Sequence, residues 1–267
     1  MIDHLHYESK NPVVIVTGAS SGLGLAFARL LDETLPEEIS FWLIARNEEK
    51  LRRLADGMQR GTRCFALDLK EEFSFAVIED ALRSDGVTVQ LLVNNAGEGI
   101  PGPFDEQSVA CHRSLCDLNV RAQVSLTSIA LPYMEEGSVI VFTSSVAAFL
   151  PQPGFATYAA SKAFILSFGR ALAEELRPRR IGVTVTCPNP MLTEFFTSEE
   201  KEKLLTSYKR FSIEDPALVA KKTIAAVRKR KVVVVTSRLG RLVRLLSKIV
   251  PQRWIIRFVA KAVNEKP

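Results

Sequence analysis

Thr17-Gly18-Ala19-Ser20-Ser21-Gly22-Leu23-Gly24 is the stretch that decides the fold. Just before it, residues 13–17 form a short β-branched apolar run, which reads as a buried strand. Just after it, residues 22–33 carry apolar side chains at helical spacing. Glycines at such a strand-to-helix turn let the backbone approach a bound anion closely. The helix N-terminus then offers free N–H groups and a partial positive charge. A glycine-rich turn elsewhere is only a turn; here its place is the one that dinucleotide binding requires. Gly18, Ser20, Ser21, Gly22, Leu23 and Gly24 are the candidate contacts to a pyrophosphate.

Outward from the turn the same alternation repeats. Runs 39–45, 63–67, 89–94, 138–144, 182–187 and 231–236 read as further buried strands. Between them, 48–59, 71–84, 114–134, 157–176 and 216–229 read as helices. Strands alternating with helices predict an α/β fold: a Rossmann-type, doubly wound parallel sheet of about seven strands. A single domain is expected over 1–237, with a helical extension over 238–267. The irregular stretch 188–211 is expected to act as a lid or substrate loop.

Composition narrows the function class. Apolar residues make up 47% and charged residues 24%, the balance of a chain that folds around a core. No apolar run approaches the roughly 18 residues that span a bilayer, and the first ten residues lack the apolar centre of a signal peptide. The expected location is the cytoplasm. Cys64, Cys111, Cys116 and Cys187 match no common zinc spacing and are expected to be reduced and mostly buried, with no metal site. From Arg238 onward there are eight basic residues against one acid, Glu265, so the body carries a slight excess of acids. The high pI of about 9.1 thus belongs to the tail and does not argue for nucleic-acid binding.

Further motifs follow in order. They are Asp68 after the third strand, Asn94-Asn95-Ala96-Gly97 after the fourth, Asn119 in a helix, Ser145 after the fifth, and Tyr158-Ala159-Ala160-Ser161-Lys162 opening the next helix. With Thr-Gly-x-x-x-Gly-x-Gly, this ordered set resembles the short-chain dehydrogenase/reductase family over roughly residues 11–236. The resemblance implies a hydride-transferring oxidoreductase using a nicotinamide cofactor. It places Asp68 and Leu69 beside the adenine, and Asn95, Ala96 and Gly97 along the nicotinamide-side ribose. It makes Tyr158 the acid/base, Lys162 a ligand of the ribose, Ser145 the holder of the substrate oxygen, and Asn119 the anchor of a water in a proton path. Ser145, thirteen residues before Tyr158, fits the family spacing better than Ser144.

Physical chemistry supports two of these expectations. Tyr158 and Lys162, four apart, share one helix face, and a nearby ammonium is expected to lower a phenol that otherwise titrates near 10. The second strand ends Ala45-Arg46, where an acid would favour NAD; an arginine can instead pair with a 2′-phosphate, which points to NADP(H).

One motif departs from the family. Where Pro-Gly and then a threonine are usual, this chain has Pro188-Asn189-Pro190-Met191-Leu192-Thr193. Pro188 and Thr193 remain in register for cofactor contact, with the loop between them expected to differ in shape.

On the substrate side, Phe149, Leu150, Phe155, Met191, Leu192, Phe195 and Phe196 include no cation, which points to a small apolar ketone, aldehyde or secondary alcohol. The tail reads as two basic amphipathic stretches broken at Pro251, suited to peripheral contact with an anionic membrane or to packing on protein. The family resemblance implies a homodimer or homotetramer, paired through the helices near 114–134 and 157–176. Alternative readings are a catalytically silent NADP-binding sensor or scaffold, and a membrane-surface lipid-binding protein. The intact Ser145, Tyr158, Lys162 and Asn119 set argues against silence.

Overall fold

A computed structural model describes residues 10–206 and 212–264. The first nine residues, 207–211 at the end of the irregular stretch, and 265–267, with Glu265 and Lys266 of the tail, lie outside the described residues. Seven parallel strands form one sheet in the order β3-β2-β1-β4-β5-β6-β7. They are β1 (Pro12–Thr17), β2 (Ser40–Ala45), β3 (Thr62–Ala66), β4 (Thr88–Asn94), β5 (Val139–Thr143), β6 (Gly182–Cys187) and β7 (Val233–Val235). Every strand falls within two residues of its sequence reading.

Period-two alternation divides the core between the two faces. Val14 and Val16 point to one side, packing with Phe27 and Leu31 of α1 (Gly22–Thr34), Leu51 of α2 (Glu48–Asp56) and Ile224 of α8 (Pro216–Arg228). Val13 and Ile15 point to the other. They pack with Ile78 of α3 (Glu72–Asp85), Leu126 of α5 (Ala122–Ala130) and Ile165 of α6 (Ala156–Glu175). A sheet covered on both faces explains why its strands are nearly continuous apolar runs.

The strand order reverses between β1 and β4. In open parallel sheets, ligands bind at that switch point, beyond the carboxyl ends of the strands. The quoted glycine turn and Asn95-Ala96-Gly97 both emerge there.

Three readings need correction. The stretch 114–134 is not one helix. Ser108 caps an earlier start by accepting a hydrogen bond from the Cys111 N–H, giving α4 (Val109–Cys116). A π-helical turn, Asp117–Arg121, then separates α4 from α5. The stretch 188–211 is partly helical, with α7 over Ser198–Thr206. The four cysteines are free, but only Cys187 is buried; Cys116 is exposed and the other two are half-buried.

The described part of the tail forms α9 (Arg238–Ile249) and α10 (Gln252–Asn264), with Pro251 between them. Among the described residues no helix is long and apolar enough to cross a membrane.

Candidate active site

The cradle is built by backbone and closed by one threonine. Gly18 (φ 65°) and Gly22 (φ 53°) hold left-handed conformations that side-chain-bearing residues rarely adopt. At Gly24 the constraint is contact: a Cβ there would lie 2.1 Å from the carbonyl oxygen of Gly18. Ser21 caps α1 without a side-chain bond, so the helix N-terminus keeps donors for an anion. Leu23 is buried in the core, so only its backbone can serve a ligand. The Thr17 hydroxyl accepts from the N–H groups of Asn95 (2.9 Å) and Ala96 (2.9 Å). Asn95 Nδ2 in turn donates to the Thr17 carbonyl (3.1 Å), and Thr143 Oγ1 to Asn95 Oδ1 (3.2 Å). Thr17 and Thr143 thus pin three strand ends together, a role that sequence reading did not assign them.

At the adenine side, Asp68 Oδ1 accepts from the Lys70 N–H (3.0 Å), fixing the turn after β3, and Leu69 is buried in the core. Arg46 is exposed directly after buried Ala45. The neighbouring Arg52 and Arg53 are committed to Glu48 and Glu49 on their own helix.

The catalytic candidates converge. Helix α6 lies tight on the sheet because Gly169 has no side chain: a Cβ there would be 2.4 Å from Val185 Cγ2. That close seating brings the first turns of α6 to the end of β5. Lys162 is buried, and its Nζ donates to the Thr143 carbonyl (3.1 Å). The same Nζ lies 5.6 Å from the centroid of the Tyr158 ring and 3.1 Å from where a Gly97 Cβ would stand. The missing side chain at Gly97 therefore leaves the space beside the lysine open. The buried Ser144 donates to the Lys162 carbonyl (2.7 Å), leaving Ser145 as the serine whose side chain reaches Tyr158.

Electrostatics revise one expectation. Burial pushes the Tyr158 phenol up to about 12, and the Ser145 hydroxyl only partly opposes it. Burial lowers the Lys162 ammonium to about 8. Desolvation, which penalises whichever form is charged, outweighs the attraction expected between phenolate and ammonium.

Asn119 sits in the π-helical turn, a distortion often found at functional sites. Its side chain bonds across the fold rather than to its own helix. Oδ1 accepts from the Glu98 N–H (2.9 Å), while Nδ2 donates to the Glu98 carbonyl (2.8 Å) and to Ser161 Oγ (3.1 Å).

The unusual loop after β6 has its own support. Asn189 takes no left-handed conformation, so glycine's freedom is not needed there. Its N–H donates to Glu214 Oε2 (3.0 Å), which also accepts from Thr236 Oγ1 (2.6 Å). The Glu214 N–H returns a bond to the Pro190 carbonyl (3.0 Å), and Lys222 Nζ stands 3.6 Å from the carboxylate. The Pro188 carbonyl accepts from the Val146 N–H (3.0 Å), tying this loop to the one that carries Ser145. Thr193 lies against the glycine turn, 3.1 Å from a Gly22 Cβ position. Glu214 escaped the sequence reading because its partners are remote in the chain.

On the substrate side, Phe155 stacks on Tyr158 (centroids 4.2 Å apart) and Phe195 meets it edge-on (5.8 Å). Phe196 continues the cluster beside Phe195. Leu192 is 40% exposed, and Leu150 is half-buried. Two expectations change here. Met191 is half-buried and packs against the core on the α1 and α8 side. A cation does stand on this side: Arg244 of α9 lies over the Phe149 ring, 5.7 Å from its centroid.

The model of the short chain dehydrogenase family matches residues 12–204. Sulfoacetaldehyde reductase 2 of Chromohalobacter salexigens is 34% identical over 189 residues, covering 68% of this chain and 74% of that protein. The 3-ketodihydrosphingosine reductase of Mus musculus is 32% identical over 203 residues, covering 72% of this chain and only 60% of that protein's length. Among solved structures, a short-chain dehydrogenase from Sphingobium yanoikuyae in complex with NADPH superposes with a TM-score of 0.73. It is 25% identical and covers 89% of this chain and 93% of that one. A Burkholderia phymatum relative in complex with NAD gives a TM-score of 0.78 at 25% identity, covering 91% of this chain and 95% of that one.

Proposed function

The chain belongs to the short-chain dehydrogenase family, and from that premise we propose that it is an NADP(H)-dependent reductase of apolar ketones or aldehydes. The observation that carries this reading is the meeting of Ser145, Tyr158 and Lys162 at the end of β5, beside small residues that leave room for a cofactor. Gly18, Ser20, Ser21, Gly22, Gly24 and the Leu23 backbone would hold the pyrophosphate. Arg46 would hold the 2′-phosphate, Asp68 and Leu69 would flank the adenine, and Asn95 to Gly97, Lys162, Pro188 and Thr193 would surround the nicotinamide end. A nicotinamide bound there supplies the hydride.

The chain's own residues handle the oxygen and the proton. Ser145 holds the carbonyl oxygen, and Tyr158 donates its hydroxyl proton to it. Lys162 stabilises the negative charge left on the phenol oxygen, and Asn119, through Glu98 and Ser161, fixes the backbone behind the lysine. A phenol raised to about 12 stays protonated at neutral pH, so the proton that carbonyl reduction needs is in place on Tyr158. The helix faces that expose Val109 and Phe164 suit pairing of two or four copies.

One observation supports a second substrate class. Arg244 over Phe149 could clamp a carbonyl compound with an anionic end, and the likeness to a sulfoacetaldehyde reductase points the same way.

The test is NADPH oxidation over a panel of apolar and anionic carbonyl compounds, with Tyr158→Phe alongside. Turnover is expected to fall by roughly 100-fold or more in the variant with NADPH binding nearly intact. A variant that kept most of its activity would remove Tyr158 from the chemistry. A panel led by anionic compounds would replace the first substrate class by the second.

A further inference from the structure

We propose that the outer face of α9, continued by the start of α10, docks on an anionic phospholipid bilayer and holds the substrate entrance at the lipid surface. The second half of this statement rests on the reductase reading above; the first half does not.

Helix α9 has two unlike sides. Its inner side is seated on the body. Gly240 is buried, and a Cβ there would come within 2.7 Å of Val146 and 2.8 Å of Val235. Its Ser237 N-cap accepts from the Gly240 N–H (2.7 Å), so the helix starts rigidly at the end of β7. The outer side is an apolar stripe at spacings of three and four. Leu239, Leu242, Leu246 and Ile249 are 45%, 50%, 42% and 69% exposed. Trp254, at the first turn of α10, is 60% exposed. Folded proteins seldom leave a contiguous stripe of this kind bare unless something covers it.

Charge identifies the cover. Between 238 and 264 there are seven arginines and lysines and no acid. Arg238, Arg241 and Lys248 are exposed along one flank of the stripe, and Arg253 and Arg257 are exposed on α10. A second copy of the chain, pairing symmetrically through this face, would set these cations against themselves without a carboxylate to relieve them. An anionic lipid surface satisfies both features, since acyl chains receive the leucines and headgroups receive the cations. An exposed tryptophan flanked by arginines suits the headgroup level.

The placement gives this face a use. The inner side of α9 touches the 3₁₀ turn Val146–Phe149, which follows Ser145 directly, and Arg244 lies over Phe149. One helix thickness, about 10 Å, therefore separates lipid from the loop beside the catalytic serine. An apolar carbonyl compound dissolved in the bilayer would reach the aromatic cluster around Tyr158 without crossing bulk water.

The experiment uses the full chain and the double variant Leu242→Glu, Ile249→Glu, which alters exposed positions only. Co-sedimentation is measured with phosphatidylcholine vesicles, with and without phosphatidylglycerol, at low and high salt. The wild type is expected to bind only the anionic vesicles, at least about tenfold more weakly at high salt, and the double variant at least about tenfold more weakly than wild type. Absence of binding to anionic vesicles overturns the proposal. So does equal binding to both compositions, or a double variant that binds as wild type does but loses self-association by light scattering. A parallel assay follows NADPH oxidation with a long-chain ketone carried in the anionic vesicles and with a water-soluble ketone. The double variant should lose rate on the first and keep it on the second. Equal loss on both overturns the delivery step, whereas vesicle binding without turnover of any carbonyl refutes the reductase reading and leaves the docking surface standing.

Discussion

The cofactor cradle and the segment from Pro188 to the end of α9 carry out neighbouring tasks by different means. In the cradle, backbone does the work: positive φ at Gly18 and Gly22, contact at Gly24, and a free helix N-terminus. In the later segment, side chains meet partners far away in the chain. Asn189 rests on Glu214, Glu214 on Thr236, and Arg244 on Phe149. A backbone site must write itself into adjacent residues, because only glycine permits its geometry. A side-chain site can draw its parts from anywhere that the fold brings together.

The largest effect should come from the backbone side. Gly24→Ala places a methyl group where 2.1 Å separates it from a carbonyl oxygen, so the turn must open. NADPH affinity is expected to fall by more than about 100-fold, near 2.7 kcal/mol. Gly61→Ala, whose nearest neighbour would be 3.8 Å away, serves as the control and should bind normally. Fluorescence titration of both variants decides it. Wild-type affinity in Gly24→Ala would mean that the close approach at this turn does not shape the cofactor site.

The side-chain region offers the matching test at Glu214. Glu214→Ala leaves the Asn189 N–H and the Thr236 hydroxyl without their acceptor. Unpaired buried groups cost about 1–3 kcal/mol each, so a loss of about 2–6 kcal/mol in unfolding free energy is expected, with lower turnover. Glu214→Gln keeps an oxygen that can accept both bonds and should recover most of the turnover. If glutamine is as harmful as alanine, attraction to Lys222 matters more than the two acceptor bonds. If neither changes turnover, the loop is not held in its working shape by Glu214.

The same contrast explains what was legible in the sequence. All seven strands, the glycine turn and the order of Ser145, Tyr158 and Lys162 could be read, because each rests on local periodicity or fixed spacing. The π-helical turn at Asn119 could not, since its apolar spacing differs little from that of a regular helix. The early start of α4 was hidden in Ser108, one of many serines that could cap a helix. The surroundings of Met191 and Arg244 were hidden for a further reason. Their neighbours in sequence belong to the substrate loop and the tail, but packing sets Met191 against the core and Arg244 over Phe149. Burial likewise reversed the expected direction at Tyr158, and burial is a property of the whole fold.

Cofactor choice joins the two regions, because it uses one side chain at the edge of a backbone-built cradle. With Arg46 paired to a 2′-phosphate, Arg46→Ala should weaken NADPH by roughly tenfold to a hundredfold, about 1.5–3 kcal/mol, and leave NADH nearly unchanged. Ala45→Asp should push the same way through repulsion. Because Arg46 is exposed, the loss should shrink as salt is raised. Dissociation constants for both cofactors test this directly. Equal weakening of both would show that Arg46 serves the fold alone, and a wild type that prefers NADH would overturn the NADP(H) reading.

The gentlest test is pH, and here activity and stability should move in opposite directions. Lys162, lowered from 10.5 to about 8 by burial, keeps its ammonium in the folded protein only below about 8. Tyr158, near 12, stays protonated throughout. The rate of carbonyl reduction, as kcat/KM, should therefore be flat below pH 8 and fall above it, by at most about tenfold per unit for a single titrating group. Stability has the reverse sign. Between about 8 and 10.5 the unfolded chain holds the lysine proton while the folded one does not, so raising pH there favours the fold by up to about 1.4 kcal/mol per unit. Cys187, raised from 9.0 to about 12, and Tyr158, raised from 10.0, oppose this gain above about 9 and 10, because their unfolded forms ionise first. The clean window is pH 8–9. Denaturant unfolding and initial rates measured across it should show stability holding or rising as activity declines. Lys162→Met, which keeps the bulk and removes the charge, should abolish the rise in stability. A wild type whose activity and stability fall together from pH 8 would mean that Lys162 titrates elsewhere and that the fold, not the ammonium, limits the rate.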